Sequence, residues 1–184
     1  MQNSLWRNYL KMKLEKLLES GMKQIKNDSP ENYFLKYAFP CANTLLCNNQ
    51  ITKKEFKELQ KDVLEGKTVH RERLLKLFPA AFRRISEVAD KINKCVWDSE
   101  VIRHYFIDEH NEYIDRGEGN YKNFPKTFRN FCKVYKAEIV KKEGRFLSVK
   151  YNSMKREVLA DLVPEAEKGD VVTIHQGYAV EKIE

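Results

Sequence analysis

The clearest evidence of the fold class lies in the C-terminal residues 132–184, CKVYKAEIVKKEGRFLSVKYNSMKREVLADLVPEAEKGDVVTIHQGYAVEKIE. Short segments rich in Val, Tyr and Ile alternate here with Gly, Asn, Ser and Pro, the residues that end strands and form turns. The predicted strands are 134–140, 146–151, 157–159, 171–175 and 178–183. Five strands in about fifty residues suit a small OB-like barrel, because closure removes exposed sheet edges.

The preceding residues are predicted to be helical. A first amphipathic helix, ending near Gly21, is indicated by Leu5, Leu10, Leu14, Leu17 and Leu18. The aromatic segment 33–39 is short, and Pro40 is expected to stop it.

Later helices carry clearer end signals. Thr52 and Glu55 form a capping-box pattern for a helix that Gly66 closes. A helix over 71–96 is expected to bend or restart at Pro79. Asp98 or Ser99 caps a further helix, which Gly117 ends.

The predicted organisation is therefore α+β in two parts. Residues 1–130 form a helical domain of unknown role, of which 117–130 are an ordered connector. Residues 131–184 form the barrel, and no internal repeat is apparent.

Charge is unevenly distributed along the chain, whose net charge is +7. Residues 1–130 hold 24 basic and 18 acidic side chains, whereas residues 131–184 hold 10 and 9. A nucleic-acid-binding OB barrel, with Phe146, Tyr151 and Tyr178 as stacking residues, is an alternative function. The near-neutral barrel argues against it, and so does the absence of a long basic run.

The N-terminal residues 1–26 suggest a cytoplasmic protein without a membrane span. Basic residues interrupt every apolar run there, so neither an export signal nor a transmembrane helix is expected. The chain has four cysteines in irregular spacing and no CxxC pair, which is typical of free thiols in a reducing compartment.

The barrel sequence carries an ordered set of motifs. These are Cys132, Leu162-Val163-Pro164, Gly169-Asp170, His175 and Gly177-Tyr178-Ala179. In this order they resemble the HypC/HupF family of hydrogenase-maturation chaperones, and the helical extension before them is of uncharacterised type.

The resemblance implies an accessory role in assembly and not an enzyme. Proteins of that family work with a HypD-like maturation protein and the hydrogenase large subunit precursor, carrying iron with cyanide and carbonyl ligands for a nickel-iron hydrogenase. By resemblance, Cys132 is the metal-binding thiolate and His175 assists it. A soft thiolate and a neutral imidazole are both suitable iron ligands.

Simpler interpretations stand beside this one. Cys132 can be an inert buried thiol, and His175 an ordinary exposed histidine before a Gln176-Gly177 turn. The module can also be a protein-interaction adaptor without metal. His104 and His110 do not share a helix face as an i, i+4 pair does, and Cys41 and Cys47, flanking an Asn-Thr turn, are a weak candidate pair.

Overall fold

The computed structural model describes residues 29–183, so the predicted helix over Leu5–Leu18 lies outside the described residues. The helices are α1 (Pro30–Cys47), α2 (Lys53–Leu64), α3 (Arg71–Leu77), α4 (Pro79–Ile92), α5 (Ser99–His104), α6 (His110–Asp115) and α7 (Lys126–Phe131). A π-helical segment, Tyr105–Glu109, joins α5 to α6, and a 3-10 segment, Gly119–Asn123, precedes α7. Within the described range, no helix has both the length and the apolar character needed to cross a membrane.

Local sequence signals set several helix ends as predicted. The Glu55 amide donates to Thr52 Oγ1 at 3.1 Å, and the Thr52 amide donates to the Glu55 carboxylate at 2.7 Å, which completes the capping box. Asp98 caps α5 by accepting from the Glu100 amide at 2.8 Å. Pro79 starts α4, where its missing amide hydrogen costs nothing.

The prediction at Pro40 was wrong. α1 continues through Pro40 to Cys47 as one helix of 18 residues. An interior proline removes one helical hydrogen bond, but Phe39 and Ala42 on either side are fully buried. Tertiary packing therefore outweighs the local cost, because burying a large side chain stabilises by about 1.5–3 kcal/mol.

The C-terminal strands form the predicted closed barrel. They are β1 (Val134–Glu143), β2 (Phe146–Tyr151), β3 (Met154–Leu159), β4 (Val171–His175) and β5 (Tyr178–Lys182). Their order is β1-β2-β3-β5-β4, with β4 returning to β1. The β3–β5 contact is parallel and the other pairings are antiparallel.

Two hydrophobic cores lie side by side. The barrel interior is filled by residues such as Ile139, Leu147, Val149 and Ile174. The helical core surrounds Phe34, and it also includes Val134 and Val180 from the barrel strands. The helices therefore cover one outer face of the barrel, and the two parts are joined by apolar packing.

A buried polar network also joins the two parts. Tyr37 of α1 donates a hydrogen bond of 2.6 Å to the Glu181 carboxylate of β5, and its hydroxyl lies 3.0 Å from Thr173 Oγ1 of β4. Tyr33, one turn earlier, donates to the same carboxylate at 3.1 Å. Since α1 carries part of the site described below, this network helps to position it.

Replacing Tyr37 with phenylalanine is expected to lower the free energy of unfolding by about 1.5 kcal/mol, because a buried hydrogen bond to a charged group is lost. Urea denaturation monitored by circular dichroism measures the change. Tyr33→Phe is the matched control and should have a smaller effect, since its bond is longer and Tyr33 is only partly buried. Equal stability of Tyr37→Phe and the natural protein would contradict a stabilising role for this network.

Candidate functional site at the helix–barrel interface

The barrel register brings Cys132 and His175 into one region. Cys132 directly follows α7, two residues before the first residue of β1. His175, the last residue of β4, pairs with Val134 at the start of β1. Both side chains are buried, with 3% and 0% of their surfaces exposed. The sequence-based alternative of an exposed hairpin histidine at 175 was therefore wrong.

Helix α1 fixes the orientation of the His175 imidazole. His175 Nδ1 lies 2.7 Å from the Tyr37 carbonyl oxygen. A carbonyl only accepts hydrogen bonds, so Nδ1 carries the proton, and Nε2 of the neutral ring has a free lone pair. Nε2 faces the Cys41 sulfur of α1 at 3.6 Å. Cys41 thus donates its thiol hydrogen towards His175.

Gln176 connects the partly buried thiol of Cys41 with the buried thiol of Cys132. Its side-chain Nε2 donates towards Cys41 Sγ at 3.5 Å and towards Cys132 Sγ at 3.8 Å. The residue adopts a left-handed backbone conformation with φ 50°, which turns the chain from β4 into β5. Its carbonyl accepts from Arg156 at 3.1 Å. One amide therefore lies within reach of a sulfur from the helical part and a sulfur from the barrel.

Part of this chain matches a known protein family. Residues 132–184 match the HupF/HypC family. The matched segment begins at Cys132 and spans the whole barrel, whereas the helical residues 30–131 lie outside it. No curated protein matches the chain. The match supports a hydrogenase-maturation chaperone role for residues 132–184.

Burial keeps the side chains of this site uncharged. Burial raises the pKa of Cys41 to about 12, with the nearby Cys132 thiol adding to the effect, and raises the pKa of Cys132 to about 11. Burial also lowers the pKa of His175 to about 4, against the favourable effect of the Tyr37 and Cys132 backbone. Neutral pH therefore leaves two thiols and one neutral imidazole, and metal binding would have to release the thiol protons.

A second buried histidine lies beside the site. The rings of His110 and His175 meet edge to face with centroids 5.1 Å apart. His110 starts α6, directly after the π-helical segment; such segments often occur at functional sites. The neighbouring Asn111 fixes the start of β1, accepting from the Val134 amide at 2.9 Å and donating to its carbonyl at 2.7 Å.

The other candidate pairs do not form. Cys41 and Cys47 lie on the continuous helix α1 and not around a turn, and Cys47 is exposed. His104 is partly exposed and pairs with Asp108 at 2.9 Å, away from the buried His110, as the spacing predicted. Across residues 29–183, no three His, Cys, Asp or Glu side chains are close enough to enclose a metal ion together.

Most of the stacking residues named for the nucleic-acid alternative are not on the surface. Phe146 is 51% exposed, but Tyr151 and Tyr178 are buried. Tyr178 packs edge to face on Phe39 of α1, with ring centroids 5.4 Å apart. Two of the three proposed stacking residues therefore serve the cores of the protein, and this weakens the alternative.

Sequence reasoning missed Cys41 and Gln176. Cys41 was considered only with Cys47, its neighbour in sequence, whereas its contacts are 134 and 135 residues away. The available signal was its position two residues after the aromatic segment 33–39. Gln176 was recognised only as a turn residue.

Proposed function

We propose that this protein is a cytoplasmic hydrogenase-maturation chaperone that holds and transfers an iron centre with cyanide and carbonyl ligands. The iron is its cargo, which it shares with a HypD-like maturation protein and passes towards the hydrogenase large subunit precursor. In this proposal it catalyses no reaction of its own. Cys132 and His175 are the metal-binding residues of the HupF/HypC module.

The observation that supports this proposal is the meeting of Cys132 and His175 at one buried site, together with the family match that begins at Cys132. Thiolate sulfur and imidazole nitrogen are donors that iron accepts. The Tyr37 carbonyl holds the proton of His175 on Nδ1, which leaves Nε2 as the donor atom. The residues present therefore fit the cargo.

A site that encloses the iron only in part is suited to passing the iron to a partner. No three donor side chains among residues 29–183 form a closed metal cage. The diatomic ligands would take further coordination positions, and a partner can supply another donor. Closed four-ligand sites are typical of structural metals, whereas sites that exchange a ligand keep a position open.

A complementation experiment tests this function. In a host with a nickel-iron hydrogenase, deletion of this gene followed by expression of Cys132→Ala is expected to leave hydrogenase activity at the level of the deletion strain, because the cargo thiolate is missing. The natural chain and Cys95→Ala, which alters an exposed cysteine, should both restore activity. Protein levels of each variant are measured by immunoblot.

Restoration of full activity by Cys132→Ala would overturn the iron-carrying function. That outcome would favour the adaptor interpretation, in which the barrel binds partners without metal.

A further inference from the structure

The helical part contributes its own thiol to the site. Cys41 lies on α1, outside the segment that matches the HupF/HypC family. Its sulfur nevertheless lies 3.6 Å from His175 Nε2 and 3.5 Å from Gln176 Nε2. Cys132 Sγ lies 3.8 Å from that same Gln176 nitrogen. Two thiols and one imidazole from distant parts of the chain therefore surround one buried amide.

The separation of Cys41 and His175 suits a bound metal. Metal–sulfur bonds of about 2.3 Å and metal–nitrogen bonds of about 2.0 Å at a tetrahedral angle separate the two donor atoms by roughly 3.6 Å. The observed distance between Cys41 Sγ and His175 Nε2 is 3.6 Å. A metal could therefore replace the thiol hydrogen between these atoms with little movement of either side chain.

Gln176 occupies the space between the sulfurs. Its amide NH₂ is the positive end of a dipole and donates towards both sulfurs, as a cation would attract them. Sulfur is a weak acceptor, so these bonds hold the glutamine side chain loosely. Outward rotation of this side chain would open the space between Cys41 and Cys132.

We propose that Cys41 is a metal ligand supplied by the helical part, so that the iron is bound between α1 and the barrel by Cys41, Cys132 and His175. The three donors do not enclose an ion in the described arrangement, so Gln176 turns away and Cys132 moves into the space that its side chain leaves. The proposal rests on the proposed function and adds a second thiolate within the same chain. It also gives the helical part a role, which is to supply one side of the cargo site. Cys41 is only partly buried, so the iron enters from its side of the site.

X-ray absorption at the iron edge tests this proposal on the full chain loaded anaerobically with Fe²⁺. The natural protein should show two sulfur ligands per iron, and Cys41→Ser and Cys132→Ser should each show one. The dissociation constant for Fe²⁺ should rise about 100-fold or more in Cys41→Ser, since loss of an outer partner of a metal ligand alone costs about 10–100-fold. Cys47→Ser, which changes an exposed cysteine of the same helix, should resemble the natural protein. Thermal melting of each apoprotein confirms that it is folded.

The outcomes separate this proposal from the proposed function. One sulfur per iron in the natural protein, lost with Cys132→Ser and unaffected by Cys41→Ser, would overturn the role of Cys41 and leave the chaperone function intact. Absence of Fe²⁺ binding by the natural protein would also overturn the role of Cys41, and the complementation experiment tests the chaperone function separately. Two sulfurs that fall to one in either variant would support the proposal.

Discussion

Replacement of Phe34 with alanine is expected to lower the free energy of unfolding by about 4 kcal/mol. Phe34 is fully buried in α1 and packs against four aromatic side chains. Their ring centroids lie 4.4–6.2 Å from its own, and they belong to Phe78, Phe82, Trp97 and Phe106. Truncation of a buried phenylalanine costs about 3–5 kcal/mol, because transfer energy is lost and a cavity remains. Urea denaturation measures the change.

Phe146→Ala is the control for this prediction. Phe146 is 51% exposed on β2, so the same truncation should cost less than about 1 kcal/mol. Equal losses in the two variants would show that the aromatic cluster around Phe34 does not form the main helical core.

Acidification is expected to destabilise the protein by about 2 kcal/mol between pH 7.5 and pH 5 through His175 alone. Its pKa is about 4 when folded, below the ordinary value of 6.5, because burial and the positive charge of Arg156 disfavour the charged ring. The unfolded chain therefore binds more protons in this range, so stability is complete above pH 6.5 and is lost as pH falls towards 4. His110, whose pKa is also lowered by burial and by His175 and Arg84, adds to the loss.

Denaturation midpoints at several pH values test this dependence. His175→Gln should flatten the slope between pH 7.5 and pH 5. His104→Gln, which changes a partly exposed histidine, is the comparison variant. A natural protein with constant stability over this range would contradict the burial of a neutral His175.

The barrel could be predicted from sequence because its local signals agree with its tertiary structure. The predicted bounds of β2 and β4 match the structure. Buried and more exposed residues alternate along β2, β4 is a mostly apolar run, and turn residues flank both strands. β3 begins at Met154, earlier than predicted. Lys155 and Arg156 near its start are charged, and they belong to the strand because they pair with β2, as Lys155 does with Lys150.

The helices could be predicted only where the residues at their ends are caps or prolines. Thr52, Asp98 and Pro79 each act locally, and their predicted roles were confirmed. The passage of α1 through Pro40 and the π-helical segment Tyr105–Glu109 depend on packing between distant elements, which no local pattern records. The predicted helix over 71–96 likewise ends earlier, at Ile92, where Asn93 adopts a left-handed conformation.

The candidate site also combines residues with local sequence signals and a residue that only tertiary packing brings there. Cys132 and His175 could be named because they belong to an ordered motif in one module, and the barrel register brings their backbones together. Their roles as iron ligands stay a prediction. Cys41 lies in another part of the chain, and only the packing of α1 on the barrel brings it to His175.

Infrared spectroscopy tests the iron-carrying function most directly. The full chain is purified anaerobically from its own host beside Cys132→Ala, and absorption is recorded where iron-bound cyanide and carbonyl groups absorb. Bands in the natural protein that disappear in Cys132→Ala are the expected result. Absence of bands from both proteins, in cells that make active hydrogenase, would contradict the carriage of this iron centre by the protein.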